Sequence, residues 1–148
     1  MPAGNGSWSF RVSGVSPGVV QITASAPAWD GTSEKVTASR PTFYLIGIPG
    51  SRTTLSAPHN VNVYTYTPNC GICDYANADI TVSWTVNPDP GSPANIVTVT
   101  PASVTLHQDN YLSDNASVGT PTSTGTYTLT ASATGFDSNT SGTVTVTP

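Results

Sequence analysis

Few side chains in this sequence have the type and spacing that chemistry needs, and the first candidates are Cys70-Gly-Ile-Cys73. A CxxC pair does thiol–disulfide work when it sits beside a βαβ unit, and no such unit is visible around it. Tetrahedral zinc would need two more ligands, and only His59 and His107 could add imidazoles. The expected state is a disulfide between Cys70 and Cys73 that pins a loop, with metal binding, redox work and free thiols as alternatives. So small a ring would stiffen the loop locally, because the entropic gain grows with loop length. Asp74, Asn77 and Asp79 follow in the same loop and present oxygen ligands at a spacing that could hold calcium. They fit no twelve-residue EF-hand pattern, and Asp and Asn also populate turns by bonding to nearby backbone. No cofactor is the expected state, with calcium at these oxygens as the alternative. Tyr64 and Tyr66 fall on one face of a strand, opposite Val61 and Val63, and Tyr75 lies in the loop beyond. Exposed aromatics can stack on sugar rings, but Tyr also buries its ring while keeping its hydroxyl wet. Phe43-Tyr-Leu-Ile46 reads as a buried first strand or an interdomain junction. No Ser/His/Asp spacing rises above chance, so no catalytic residue is assigned and no enzyme is expected.

The elements that must carry these residues are strands. Ile80, Val82, Trp84 and Val86 alternate with Thr81, Ser83 and Thr85. The same period of two recurs at Val104 and Leu106, at Tyr127, Leu129, Ala131 and Ala133, and at Val144 and Val146. Thr on the alternate positions suits a strand, since its branched Cβ favours extended backbone and its hydroxyl stays hydrated. Pro-, Gly- and Asn-rich breaks separate the runs, as at Asn87-Pro-Asp-Pro-Gly91 and Gly119-Thr-Pro121. Short strands with frequent turns predict an all-β antiparallel sandwich.

Composition excludes other classes. Charged residues are 8% of the chain, against about 25% in an average protein. Thr and Ser supply 42 of the 148 residues, so the polar surface is built from hydroxyls. A net charge of −4 leaves no basic footprint for nucleic acid. No apolar run approaches the roughly 18 residues of a membrane-spanning helix, and the first residues lack the pattern of a signal peptide.

An internal repeat divides the chain. Gly18-Val-Val-Gln-Ile-Thr-Ala-Ser-Ala-Pro-Ala-Trp-Asp30 aligns with Gly125-Thr-Tyr-Thr-Leu-Thr-Ala-Ser-Ala-Thr-Gly-Phe-Asp137. Val20 and Ile22 correspond to Tyr127 and Leu129, and after a one-residue slip Val36-Thr37 matches Val144-Thr145. Residues 1–41 are therefore expected to be the last strands of one repeat, about three of them, and residues 42–148 a complete second repeat. A half-repeat has no complete core, so it must pack on a neighbour or exchange strands with another chain.

Thr100-Pro-Ala-Ser-Val-Thr-Leu106, Gly125–Ala133 and Gly142-Thr-Val-Thr-Val-Thr-Pro148 resemble the back half of bacterial immunoglobulin-like repeats, with Trp84 as the buried Trp of a central strand. The resemblance implies an immunoglobulin-like β-sandwich in a secreted or surface-anchored multidomain protein. It implies no active site, because such repeats serve as stalks, adhesin arms and accessory modules. Three roles follow: a structural module beside neighbouring repeats, a subunit that joins identical subunits through its half-repeat, and a module binding glycan or a host surface.

Overall fold

The computed structural model describes residues 17–26, 29–66 and 75–148. The chain forms two units, Met1–Ser39 and Arg40–Pro148, each described by itself below.

In the first unit β1 (Gly18–Ala26) pairs antiparallel with β2 (Trp29–Ala38). Of the three or so strands expected in residues 1–41, these two lie among the described residues. The register sets Val20 opposite Val36 and Ile22 opposite Glu34 on one face; Val19, Gln21 and Thr23 meet Thr37, Lys35 and Ser33 on the other. The Gln21 amide donates to Ser33 Oγ at 2.8 Å. A two-stranded ribbon buries little by itself, and Val20 is 52% exposed.

The second unit is an all-β immunoglobulin-like sandwich. One sheet runs β4 (Ser51–Thr53), β12 (Val144–Thr147), β10 (Gly125–Ser132), β6 (Ile80–Pro88), β8 (Ser103–Leu106), with β11 (Asn139–Thr140) also on β10. The other runs β3 (Thr42–Ile46), β5 (His59–Tyr66), β9 (Ala116–Val118), β7 (Val99–Thr100). Pairing is antiparallel except for β4, which lies parallel to β12. The alternation seen in sequence sets the faces: Val82 and Trp84 of β6, Tyr127, Leu129 and Ala131 of β10, and Val144 and Val146 of β12 point inward and are buried. Val61 and Val63 of β5, Phe43 of β3, and Ala116 and Val118 of β9 close the core from the other sheet. Trp84 sits on a central strand, as the resemblance implied. Phe43 stacks on Phe136 with ring centroids 4.7 Å apart.

Between β3 and β4 the chain crosses from one sheet to the other. Gly47 makes the corner with φ +82°, and a Cβ there would collide with the Asn60 carbonyl, so the crossing requires glycine. Across the crossing, Arg52 is buried: Nη1 donates to the Gly119 carbonyl and Nη2 to those of Ala57 and Ser56. One guanidinium thus ties β4 to two loops at the end of the sandwich.

The two units share a design. In the first, Gly18, Val19 and Val20 oppose Ala38, Thr37 and Val36; in the second, Gly125, Thr126 and Tyr127 oppose Val146, Thr145 and Val144. These are the same three pairs under the sequence alignment. The environments differ, because Tyr127, Leu129 and Val144 are fully buried while Val20 and Val36 are 52% and 38% exposed.

Candidate functional site

The feature with the chemistry of a binding surface is the outer face of the β3–β5 sheet. Because side chains alternate along a strand, burial of Phe43, Val61, Val63 and Thr65 forces Thr42, Tyr44 and Ile46 of β3 outward. Asn60, Asn62, Tyr64 and Tyr66 of β5 face the same way. Register then pairs Tyr44 with Tyr64, Thr42 with Tyr66, and Ile46 with Asn62. Tyr44 and Tyr64 stack with centroids 4.9 Å apart and planes 17° from parallel, a cross-strand aromatic pair. Tyr44 remains 54% exposed. Partial desolvation raises the Tyr64 phenol above its ordinary value, and the Tyr44 and Tyr66 phenols beside it add to the effect. Asn62 Nδ2 donates to Asn115 Oδ1 at 3.3 Å, continuing the face as amides. Ser117 of β9 and Thr100 of β7 complete it. No outward residue of these four strands carries a charge.

Tyr44 also lines a cleft at the edge of the sandwich. The cleft has a volume of about 350 Å³ and lies between Leu45 and Ile48 on one side and Asn139–Thr143 on the other. Asn139 Nδ2 donates to the Phe43 carbonyl, and Ser141 Oγ accepts from the Leu129 amide at 2.9 Å, so the polar wall is held firmly.

Tyr75 stands apart from the Tyr64–Tyr66 face in its contacts. It meets Tyr111 edge to face, with centroids 5.9 Å apart, and both are exposed. The Tyr111 carbonyl accepts from the Thr65 amide and Val63 exchanges bonds with Ser113, which fixes this segment beside β5.

Cys70, Cys73 and Asp74 lie outside the described residues. Asn77 is exposed. Asp79 is turned to its neighbours: Oδ1 accepts from the Gln108 amide at 2.8 Å and Oδ2 lies 3.7 Å from His107 Nδ1. Asp114 approaches the other nitrogen of His107 at 3.3 Å. The imidazole separates the two carboxylates, and among the described residues no three His, Cys, Asp or Glu converge on a metal position.

Sequence reasoning missed Tyr44. Phe43–Ile46 reads in sequence as a buried first strand or an interdomain junction; within its own unit the strand alternates, with Phe43 inside and Tyr44 and Ile46 outside. The alternation of Thr42, Tyr44 and Ile46 with Phe43 and Leu45 is the signal for it. Arg52 carried no signal, since a lone arginine in a short strand is ordinarily solvated.

No protein-family profile and no curated sequence matches the chain. Solved structures do. An adhesin of Yersinia pseudotuberculosis, InvE, is 14% identical over 92% of this chain and 41% of its own, with a TM-score of 0.52. The Escherichia coli chaperone DraB is 13% identical over 72% of this chain and 56% of its own, with a TM-score of 0.49. Domains 4 and 5 of the S-layer protein SbsC are 16% identical over 89% of this chain and 66% of their own, with a TM-score of 0.41. The chain thus spans from 41% to 66% of the length of these structures. The InvE likeness is one of fold.

Proposed function

We propose that the chain is a non-enzymatic structural module of a surface or secreted protein, stalk- or adhesin-like, built from immunoglobulin-like repeats. The observation that carries this reading is the recurrence of one strand pairing in two units: Val20–Val36 and Tyr127–Val144 occupy the same register in hairpins related by the sequence repeat. Repetition of one sandwich unit along a chain builds length, and length is what a stalk supplies. The fold shared with an adhesin from Yersinia supports the surface assignment. Residues 1–41 are then the closing strands of one repeat and 42–148 a whole repeat. The test is surface labelling of intact cells that express the natural protein. Antibody raised against this chain should bind intact cells, and protease added outside should remove the epitope. An epitope found only after lysis, in the cytosolic fraction, overturns the reading.

A second reading rests on the burial difference between the two hairpins. The face of Val20, Ile22 and Val36 matches a fully buried face in the sandwich, so identical subunits could complete one another by strand exchange. Light scattering during size exclusion decides it. Concentration-dependent growth in mass supports exchange, and a constant monomer mass at high concentration removes it.

A further inference from the structure

We infer that the cleft beside Tyr44 is a binding site for a neutral sugar residue, with Tyr44, braced by its stack on Tyr64, as its aromatic side. The site goes beyond the structural role proposed above and does not depend on it.

Three observations converge on this ligand. The first is shape: about 350 Å³ is within the range of small-ligand clefts, and the walls belong to a strand and a bonded loop, so the cleft is preformed. The second is the aromatic wall. Tyr44 is one of the lining residues, it is 54% exposed, and Tyr64 stacks on its ring. The electron-rich face of an aromatic ring attracts the weakly positive C–H groups that a pyranose presents on its apolar face. The third is the absence of charge in the lining. Leu45, Asn139, Thr140, Ser141, Gly142 and Thr143 are all uncharged, and so is the outer sheet face that continues from Tyr44 to Asn62. A sulfated or carboxylated ligand would be desolvated there without a counter-charge, whereas a neutral ligand is not penalised in this way. Hydroxyls on the polar wall, that of Thr143 among them, suit the donor and acceptor pairs of sugar hydroxyls.

The experiment is a titration of the isotope-labelled full chain followed by amide resonances. The probes are cellohexaose, maltohexaose and chitohexaose, with a sulfated oligosaccharide and a Val/Thr-rich strand peptide in separate samples. At least one neutral hexaose should shift Leu45 and Ser141–Thr143. Tyr44→Ala should weaken that binding roughly tenfold, and Tyr44→Phe should retain it. Tyr44 is exposed, but its loss also breaks the pair with Tyr64, so Thr143→Trp, which fills the cleft and keeps the pair, must weaken binding too. Tyr75→Ala should leave the affinity unchanged. Silence with every neutral hexaose at about 10 mM overturns the proposal. So do shifts confined to the sulfated probe or the peptide, shifts that map to Tyr75 and Tyr111, or unchanged affinity in Thr143→Trp.

Discussion

Tyr127 is fully buried, and its hydroxyl has no hydrogen-bond partner among the described residues. A buried unpaired hydroxyl costs stability, so Tyr127→Phe should leave the midpoint of urea unfolding unchanged or raise it by the equivalent of about 1 kcal/mol. Tyr127→Ala should lower stability by about 3–5 kcal/mol through the cavity it leaves. His59 presents the opposite problem. Its Nε2 is buried without a partner among the described residues, and burial, followed by the charge of Arg52, lowers its pKa. The unfolded chain therefore binds this proton more readily than the folded one. The stability His59 contributes is present above the ordinary imidazole value of 6.5 and lost as the pH falls through the lowered folded value. Melting temperatures measured between about pH 5 and 8 should drop on the acid side, and His59→Gln should flatten that part of the drop. Sequence marks His59 only as a possible zinc ligand and Tyr127 only as a member of an alternating run. A tyrosine in an alternating run announces burial but not whether its hydroxyl finds a partner, and the His59–Arg52 proximity exists only after β4 and β5 are placed.

The alternation of Thr with Val, Leu and Trp made β6, β10 and β12 legible as strands, because a period of two survives wherever one face is wet. β3 was harder to read. Four apolar or aromatic residues in a row, Phe43–Ile46, look buried on both faces, and only pairing with β5 puts Tyr44 and Ile46 outside. The crossing that follows depends on two residues. Gly47→Ala should destabilise the sandwich by about 1–3 kcal/mol, since its φ is left-handed and the Asn60 carbonyl blocks a Cβ. Arg52→Met keeps the buried stem but strands the carbonyls of Gly119 and Ala57, and should cost about 1–3 kcal/mol. Urea unfolding read by Trp fluorescence measures both. The parallel β4–β12 pairing should loosen in each variant, seen as faster amide exchange at Thr145, which bonds to the Gly50 carbonyl.

At the scale of the molecule, few charges and many hydroxyls become a sandwich with Thr and Ser on the outer face of β6, β10 and β12 and Tyr and Asn on that of β3 and β5, joined to a hairpin of the same design. The repeat was visible in sequence because Thr23-Ala-Ser-Ala26 returns as Thr130-Ala-Ser-Ala133. What sequence could not give is that the matching positions differ in burial, since that depends on which strands lie beside them. β10 has β6 on one side and β12 on the other, while among the described residues β1 pairs with β2 alone. Amide hydrogen exchange on the dilute chain compares the two hairpins directly, position against matched position. The account predicts that Tyr127, Leu129 and Val144 exchange only with global unfolding, while Val20, Ile22 and Val36 exchange through local opening orders of magnitude faster. Equal protection at Ile22 and Leu129 would contradict it, because the first hairpin would then already be part of a closed core.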